Sequence, residues 1–185
     1  MLRIFYFSSK YHRSIFSISL LLVLLFFSCI TKKQNKNLIY ENNIAVLPYL
    51  SDSILSRILN GDCELSELSQ DDFEKIDILM KKCMEEYNSK QQIKYDEYNL
   101  KFPKQKIDKY YFLLKEIEYY NRQYICALNG EGEKLVWINC FPKYYSDSYW
   151  RSEIVFVLDG GTDYFQLIIN LTKGIYYGPA VNGHA

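Results

Sequence analysis

At Gln123 the hydrophobic period of this chain changes from that of a helix to that of a strand, and this change limits the fold more than any other feature. Before it, Phe73, Ile76, Met80, Cys83, Met84 and Tyr87 fall within an arc of about 100° on a helical wheel. Lys81, Lys82, Glu85 and Glu86 lie elsewhere on the same wheel. After it, Phe165, Leu167, Ile169 and Leu171 alternate with Tyr164, Gln166 and Asn170, the pattern of a half-buried antiparallel strand. Helices followed by a sheet make an α+β architecture.

Local signals divide the two halves. Ser51-Asp52-Ser53 predicts the cap of a short helix carrying Ile54, Leu55, Ile58 and Leu59, which Asn60-Gly61 ends. Ser69-Gln70-Asp71-Asp72 resembles a capping box with Asp in place of Glu, and it opens a helix over 70–88. A third helix is expected over 107–120, with the stripe Tyr110, Leu113, Leu114, Ile117 and Tyr120. Segments 124–128 and 135–141 flank Asn129-Gly130-Glu131-Gly132, a hairpin signal because Asn-Gly tolerates positive φ. Segments 153–158 and 163–171 flank Asp159-Gly160-Gly161-Thr162 as a second hairpin, and Lys173-Gly174 turns into a last strand at 175–177. The expected fold is two or three N-terminal helices packed on a four- to five-stranded antiparallel β-meander.

Composition excludes several classes. Hydrophobic residues make up 49% of the chain, with only eight Gly and four Pro, so it is neither a disordered chain nor a linker. Lys and Arg number 22 against 22 Asp and Glu, which argues against an electrostatic nucleic-acid binder. Three of the basic side chains, Arg3, Lys10 and Arg13, fall in residues 1–29 without a single acid. The remainder is therefore mildly acidic, as suits a domain held beside an anionic membrane surface.

Those three basic residues precede an apolar run over 15–27, interrupted only by Ser17 and Ser19 and ending at Ser28-Cys29. A bilayer-spanning helix needs about 20 apolar residues, whereas this run has the length of a signal-peptide core. The segment resembles bacterial lipoprotein signal peptides, in which a small residue precedes a lipid-modified cysteine. Ser28 and Cys29 match that pair, while Phe26 and Phe27 depart from the usual Leu-then-small pattern. The resemblance implies cleavage before Cys29 and a diacylglyceryl, palmitate-type anchor on it. An uncleaved single-span anchor and a secretory signal with an incidental cysteine are the alternatives. Two acyl chains hold a protein stably at a membrane where one does not. The domain plan is thus a signal peptide at 1–28, the anchor cysteine and a flexible tether at 29–43, and one α+β domain at 44–185. The carboxy-terminal run from Ile169 to Tyr177 is similar to that of small uncharacterised envelope lipoproteins, a likeness that implies no activity.

Catalytic motifs are sparse. His12 falls in the signal peptide and His184 is the penultimate residue, which leaves a His-based triad or zinc site with nothing well placed. The expectation is no metal site, no cofactor and no catalytic residue. Cys63, Cys83, Cys126 and Cys140 follow Cys29. Closing the hairpin at 129–132 sets Cys126 opposite residue 135 or 136, so Cys140 lies about 13 Å further along the partner strand, too far for a bridge. Glu153, Asp159 and Asp163 are the one set of carboxylates that could serve a glycan hydrolase, and the Asp pair also suits a Gly-Gly turn.

Tyr144-Tyr145-Ser146-Asp147-Ser148-Tyr149-Trp150-Arg151 holds four aromatics and an arginine in eight residues. Tyr, Trp and Arg are enriched at binding hot spots, so Tyr144, Tyr145, Tyr149, Trp150 and Arg151 form a candidate contact loop for an envelope protein or a glycan. The same rings could instead roof one end of the sheet. The functional expectation is a non-enzymatic binding or scaffolding domain on a lipid anchor, in the cell envelope at an outer membrane or cell surface. The alternatives are an envelope glycan hydrolase and a small inhibitor or immunity-type protein.

Overall fold

The computed structural model describes residues 43–47, 52–59, 61–145 and 148–183. The segment expected to be a signal peptide, Cys29, the expected tether up to residue 42, Ser51, Asn60, Ser146, Asp147 and His184 lie outside the described residues. The predicted hairpin is present and forms the centre of the sheet. Strand β3 (Tyr120–Asn129) pairs antiparallel with β4 (Lys134–Pro142), and Cys126 faces Val136 while Cys140 faces Arg122. Strand β5 (Phe165–Asn170) adds to β4, and β6 (Ile175–Val181) adds to β5, both antiparallel.

The second edge of β3 is shared by two short strands. Strand β1 (Ile44–Val46) runs parallel to it at Arg122 to Tyr124, and β2 (Cys63–Leu65) runs antiparallel to it at Ala127 to Asn129. Helix α1 (Asp52–Leu59) lies between them in sequence and reverses the chain. The result is a mixed six-stranded sheet with two helices among the described residues, not two or three helices on a purely antiparallel meander. Strands of three residues carry no readable period, so their addition was invisible locally.

Helix α2 (Gln70–Lys101) is 32 residues long, well beyond the expected end at 88. Its start follows the sequence: Ser69 N–H donates to Asp72 Oδ2 at 2.8 Å, and Asp72 N–H donates to Ser69 Oγ at 3.3 Å. Ile76, Met80, Cys83 and Met84 are buried against the sheet. The last turns bury no residue and are held by other means. Gln92 Nε2 donates to Asp96 at 2.8 Å, and the Tyr95 and Tyr98 rings lie 6.0 and 5.9 Å from Phe112. Helical side-chain pairs and aromatic contacts of this kind extend a helix that has no apolar face of its own.

The expected third helix over 107–120 is absent. Two 3-10 turns, Lys109–Tyr111 and Ile117–Tyr119, stand in its place. Asn88 of α2 explains the break. Its side chain accepts from Leu114 N–H at 2.8 Å and donates to Leu114 O at 3.0 Å, taking both backbone groups that a helix would have used. Tyr120 is drawn into β3, and its hydroxyl accepts from Lys115 N–H and donates to Thr162 O.

The expected second hairpin is also absent. Gly160 (φ 93°) and Gly161 (φ 55°) lead into a 3-10 turn, Gly161–Asp163, rather than a two-residue hairpin loop. A Cβ on Gly160 would collide with the Tyr164 ring. Segment 153–158 joins no strand ladder. Side chains bind its backbone instead, and this arrangement builds the site.

Candidate functional site

Helix α2 covers the sheet face that carries Arg122, Tyr124 and Tyr176. Arg122 Nη1 donates to Asp77 at 3.0 Å, the Phe73 ring lies 6.1 Å from Tyr124, and Glu86 hydrogen-bonds Tyr176, pushing that phenol's pKa up to about 12. The opposite face presents two rows across the strands. One row reads Ile125, Trp137, Ile168 and Tyr177, and the other Gln123, Asn139, Gln166 and Ala180, each residue facing the next in the pairing register.

The second row is a relay of side-chain amides. Gln166 Nε2 donates to Asn139 Oδ1 at 3.1 Å, and Asn139 Nδ2 donates to Gln123 Oε1 at 3.0 Å. The relay then holds the chain that crosses above it. Val155 N–H donates to Gln123 Oε1 at 2.9 Å, Asn139 Nδ2 donates to Val155 O at 2.8 Å, and Gln123 Nε2 donates to the carbonyls of Trp150 and Glu153. Further along, Asn182 Nδ2 donates to Val157 O at 2.6 Å and to Asp159 O at 3.2 Å. Buried amides in such a network are satisfied by one another and by backbone, the condition for keeping them away from water.

Between the crossing segment and the sheet lies a cleft of about 700 Å³. Trp137, Ile168 and Tyr177 contribute from the apolar row, and Asn139, Gln166 and Ala180 from the amide row. Ile154, Phe156 and Leu158 line it from the crossing segment, and Arg57 and Ile58 line it from α1. Phe156 is 79% exposed and Leu158 78% exposed, large apolar side chains beside an apolar trough.

No family model, curated protein or solved structure matches the chain. Among the described residues, no group of three or more His, Cys, Asp or Glu side chains is arranged to hold a metal ion. Among them, too, no helix is long and apolar enough to cross a membrane.

The structure separates the five residues of the aromatic loop. Trp150 is 8% exposed, its ring 5.6 Å from Phe141, and Tyr145 packs on the same Phe141 at 5.4 Å. Arg151 stacks over Trp150, with its guanidinium carbon 4.3 Å from the ring centre. Tyr149 is 63% exposed. Tyr144 is 67% exposed and turns the other way, its hydroxyl donating to Asp163 at 3.0 Å. Lys115 Nζ, 2.6 Å from the same carboxylate, completes a cluster in which burial and Asp163 raise the Tyr144 pKa. The carboxylate of Asp163 is thus occupied by a cation and a phenol.

Cys63, Cys83, Cys126 and Cys140 are all free thiols. Burial pushes Cys83 and Cys126 up to about 11, and it raises Cys140 as well. A thiol held protonated in this way packs as a small apolar group and is a poor nucleophile.

The cleft residues Arg57, Trp137, Asn139, Gln166, Ile168 and Tyr177 were not singled out from the sequence. A usable signal was present at two of them: Asn139 lies between Ile138 and Cys140 and Gln166 between Phe165 and Leu167, whereas Gln123 follows Arg122. Recognising them as one row required the register between three strands.

Proposed function

We propose that this chain is a lipid-anchored envelope protein whose folded domain binds a ligand without transforming it. The cleft above Trp137 and Ile168 is the binding site in this reading. Its volume of about 700 Å³ falls within the roughly 300–1,000 Å³ typical of small-molecule sites, and its mix of apolar walls with a few amides is the usual lining. The raised thiols and the Lys115-paired Asp163 favour binding over chemistry. Cys29 as the anchor places the domain in the cell envelope, at an outer membrane or cell surface, within reach of envelope proteins, glycans and lipids.

The single observation that carries the reading is the exposure of Phe156 and Leu158 at the cleft. Apolar side chains left in water beside an apolar recess mark a surface that is covered when occupied. An uncharged apolar dye such as Nile red should bind the purified full chain saturably at one site. The double variant Phe156→Ser, Leu158→Ser should lose that binding with an unchanged melting temperature. Equal dye binding by native protein and variant would reject the cleft as the site.

A further inference from the structure

Resting on that reading of the cleft, we infer that its ligand is a single-chain anionic amphiphile: an acyl chain lying over Trp137 and Ile168, with its carboxylate held by Arg57. Three observations carry this. The cleft floor crosses from Trp137 on β4 through Ile168 on β5 to Tyr177 on β6, and Ile58, Ile154 and Phe156 continue the apolar surface above it. Such a surface suits a long hydrocarbon and gains from every methylene it removes from water.

Most of the side-chain amide donors of the cleft are already committed. Asn139 uses its Nδ2 on Gln123 and Val155 and its Oδ1 on Gln166, while Asn182 holds Val157 and Asp159. A glycan or nucleotide placed there would leave its own hydroxyls or amides short of partners, which is costly away from water. An extended peptide needs main-chain partners along its length. The free edge of the sheet beside the cleft is β6, and Pro179 within it has no N–H to offer.

The charge is one-sided. Among the described residues that line the cleft, Arg57 is the one formally charged side chain, and it lies exposed on α1. Among the described residues, no carboxylate accompanies it in that lining. A guanidinium at the rim of an apolar trough matches a ligand that is apolar along its body and anionic at one end, since it forms strong charge-assisted pairs with carboxylates.

The test titrates the full chain with dodecanoate, dodecanol and acetate while following Trp137 fluorescence, with Trp137→Phe as the signal control. Dodecanoate should bind saturably and acetate should not. Arg57→Gln should weaken dodecanoate about tenfold and leave dodecanol unchanged, whereas Arg57→Lys should retain most of the affinity. Equal binding of dodecanol and dodecanoate, both insensitive to Arg57→Gln, would overturn the anionic head group while leaving the apolar cleft in place. Dodecanoate binding that survives Phe156→Ser, Leu158→Ser intact would overturn the cleft itself. Saturable capture of an extended apolar peptide that dodecanoate fails to displace would overturn the ligand class.

Discussion

Asn139 Nδ2 donates to Gln123 Oε1 at 3.0 Å, joining two buried amides across the β3–β4 pair. Through this link the sheet grips a segment that is not part of it. Gln123 alone meets the backbone of Trp150, Glu153 and Val155. Asn139 and Asn182 hold the segment further along, but its first half, and with it one wall of the cleft, depends most on Gln123.

Gln123→Met should therefore destabilise the domain by about 2–4 kcal/mol, since buried carbonyls and an N–H lose their partner at roughly 1–3 kcal/mol each with partial relaxation. Urea unfolding measures the loss. Limited proteolysis of the native state should show new cuts within 150–158. An unchanged cleavage pattern would mean that other contacts hold the segment.

Asp72 links the start of α2 to the sheet, its carboxylate bound by Ser69 N–H and by Lys134 Nζ at 2.8 Å. Burial opposes its ionised form, but the Lys134 and Ser69 hydrogen bonds outweigh burial and its pKa is lowered. A carboxyl whose pKa is lower folded than unfolded stabilises fully above its unfolded value, and that gain is lost as pH falls through the folded one. Asp72→Asn should cost about 1–2 kcal/mol at neutral pH, and the gap to the native protein should close progressively below about pH 4. Unfolding curves at pH 7 and pH 3 check the sign.

Trp150 and Tyr149 are neighbours with opposite roles in packing. Trp150→Ala removes a buried ring from Phe141 and should cost about 3–5 kcal/mol. Tyr149→Ala, at an exposed position, should cost less than about 1 kcal/mol. Thermal melts of the two variants side by side make the comparison. Near-equal losses would contradict the burial seen here.

The thiols should respond to unfolding rather than to pH. At pH 8, iodoacetamide should label the half-buried Cys63 first, and Cys83, Cys126 and Cys140 only in denaturant. Peptide mapping should recover no Cys126–Cys140 disulfide, because those residues face Val136 and Arg122 rather than each other.

The proposed anchor has its own measurement. Intact mass of the native protein purified from a bacterial envelope should show a chain that begins at Cys29 and carries acyl chains. Cys29→Ser should leave an unmodified precursor. A mature chain starting at residue 29 without acyl mass would reject lipidation.

Features written in neighbouring residues could be read without coordinates. Ser69 and Asp72 are three positions apart, and the box they predict is the one that forms. The Asn129–Gly132 turn sets the β3–β4 register, because two or three residues of turn geometry are enough to align the strands they join. Alternation in β4 and β5 likewise determines which side chains share a face. Contacts between distant residues decided the rest. Leu114 leaves the helical pattern because Asn88, 26 positions away, takes both of its backbone groups. The apolar segment 154–158 has the composition of a strand, yet Gln123, Asn139 and Asn182 bind its backbone before another strand can. The cleft exists only because of that capture. Periodicity reports how a segment prefers to fold by itself, whereas a side-chain amide arriving from another strand supplies hydrogen bonds that no local pattern contains.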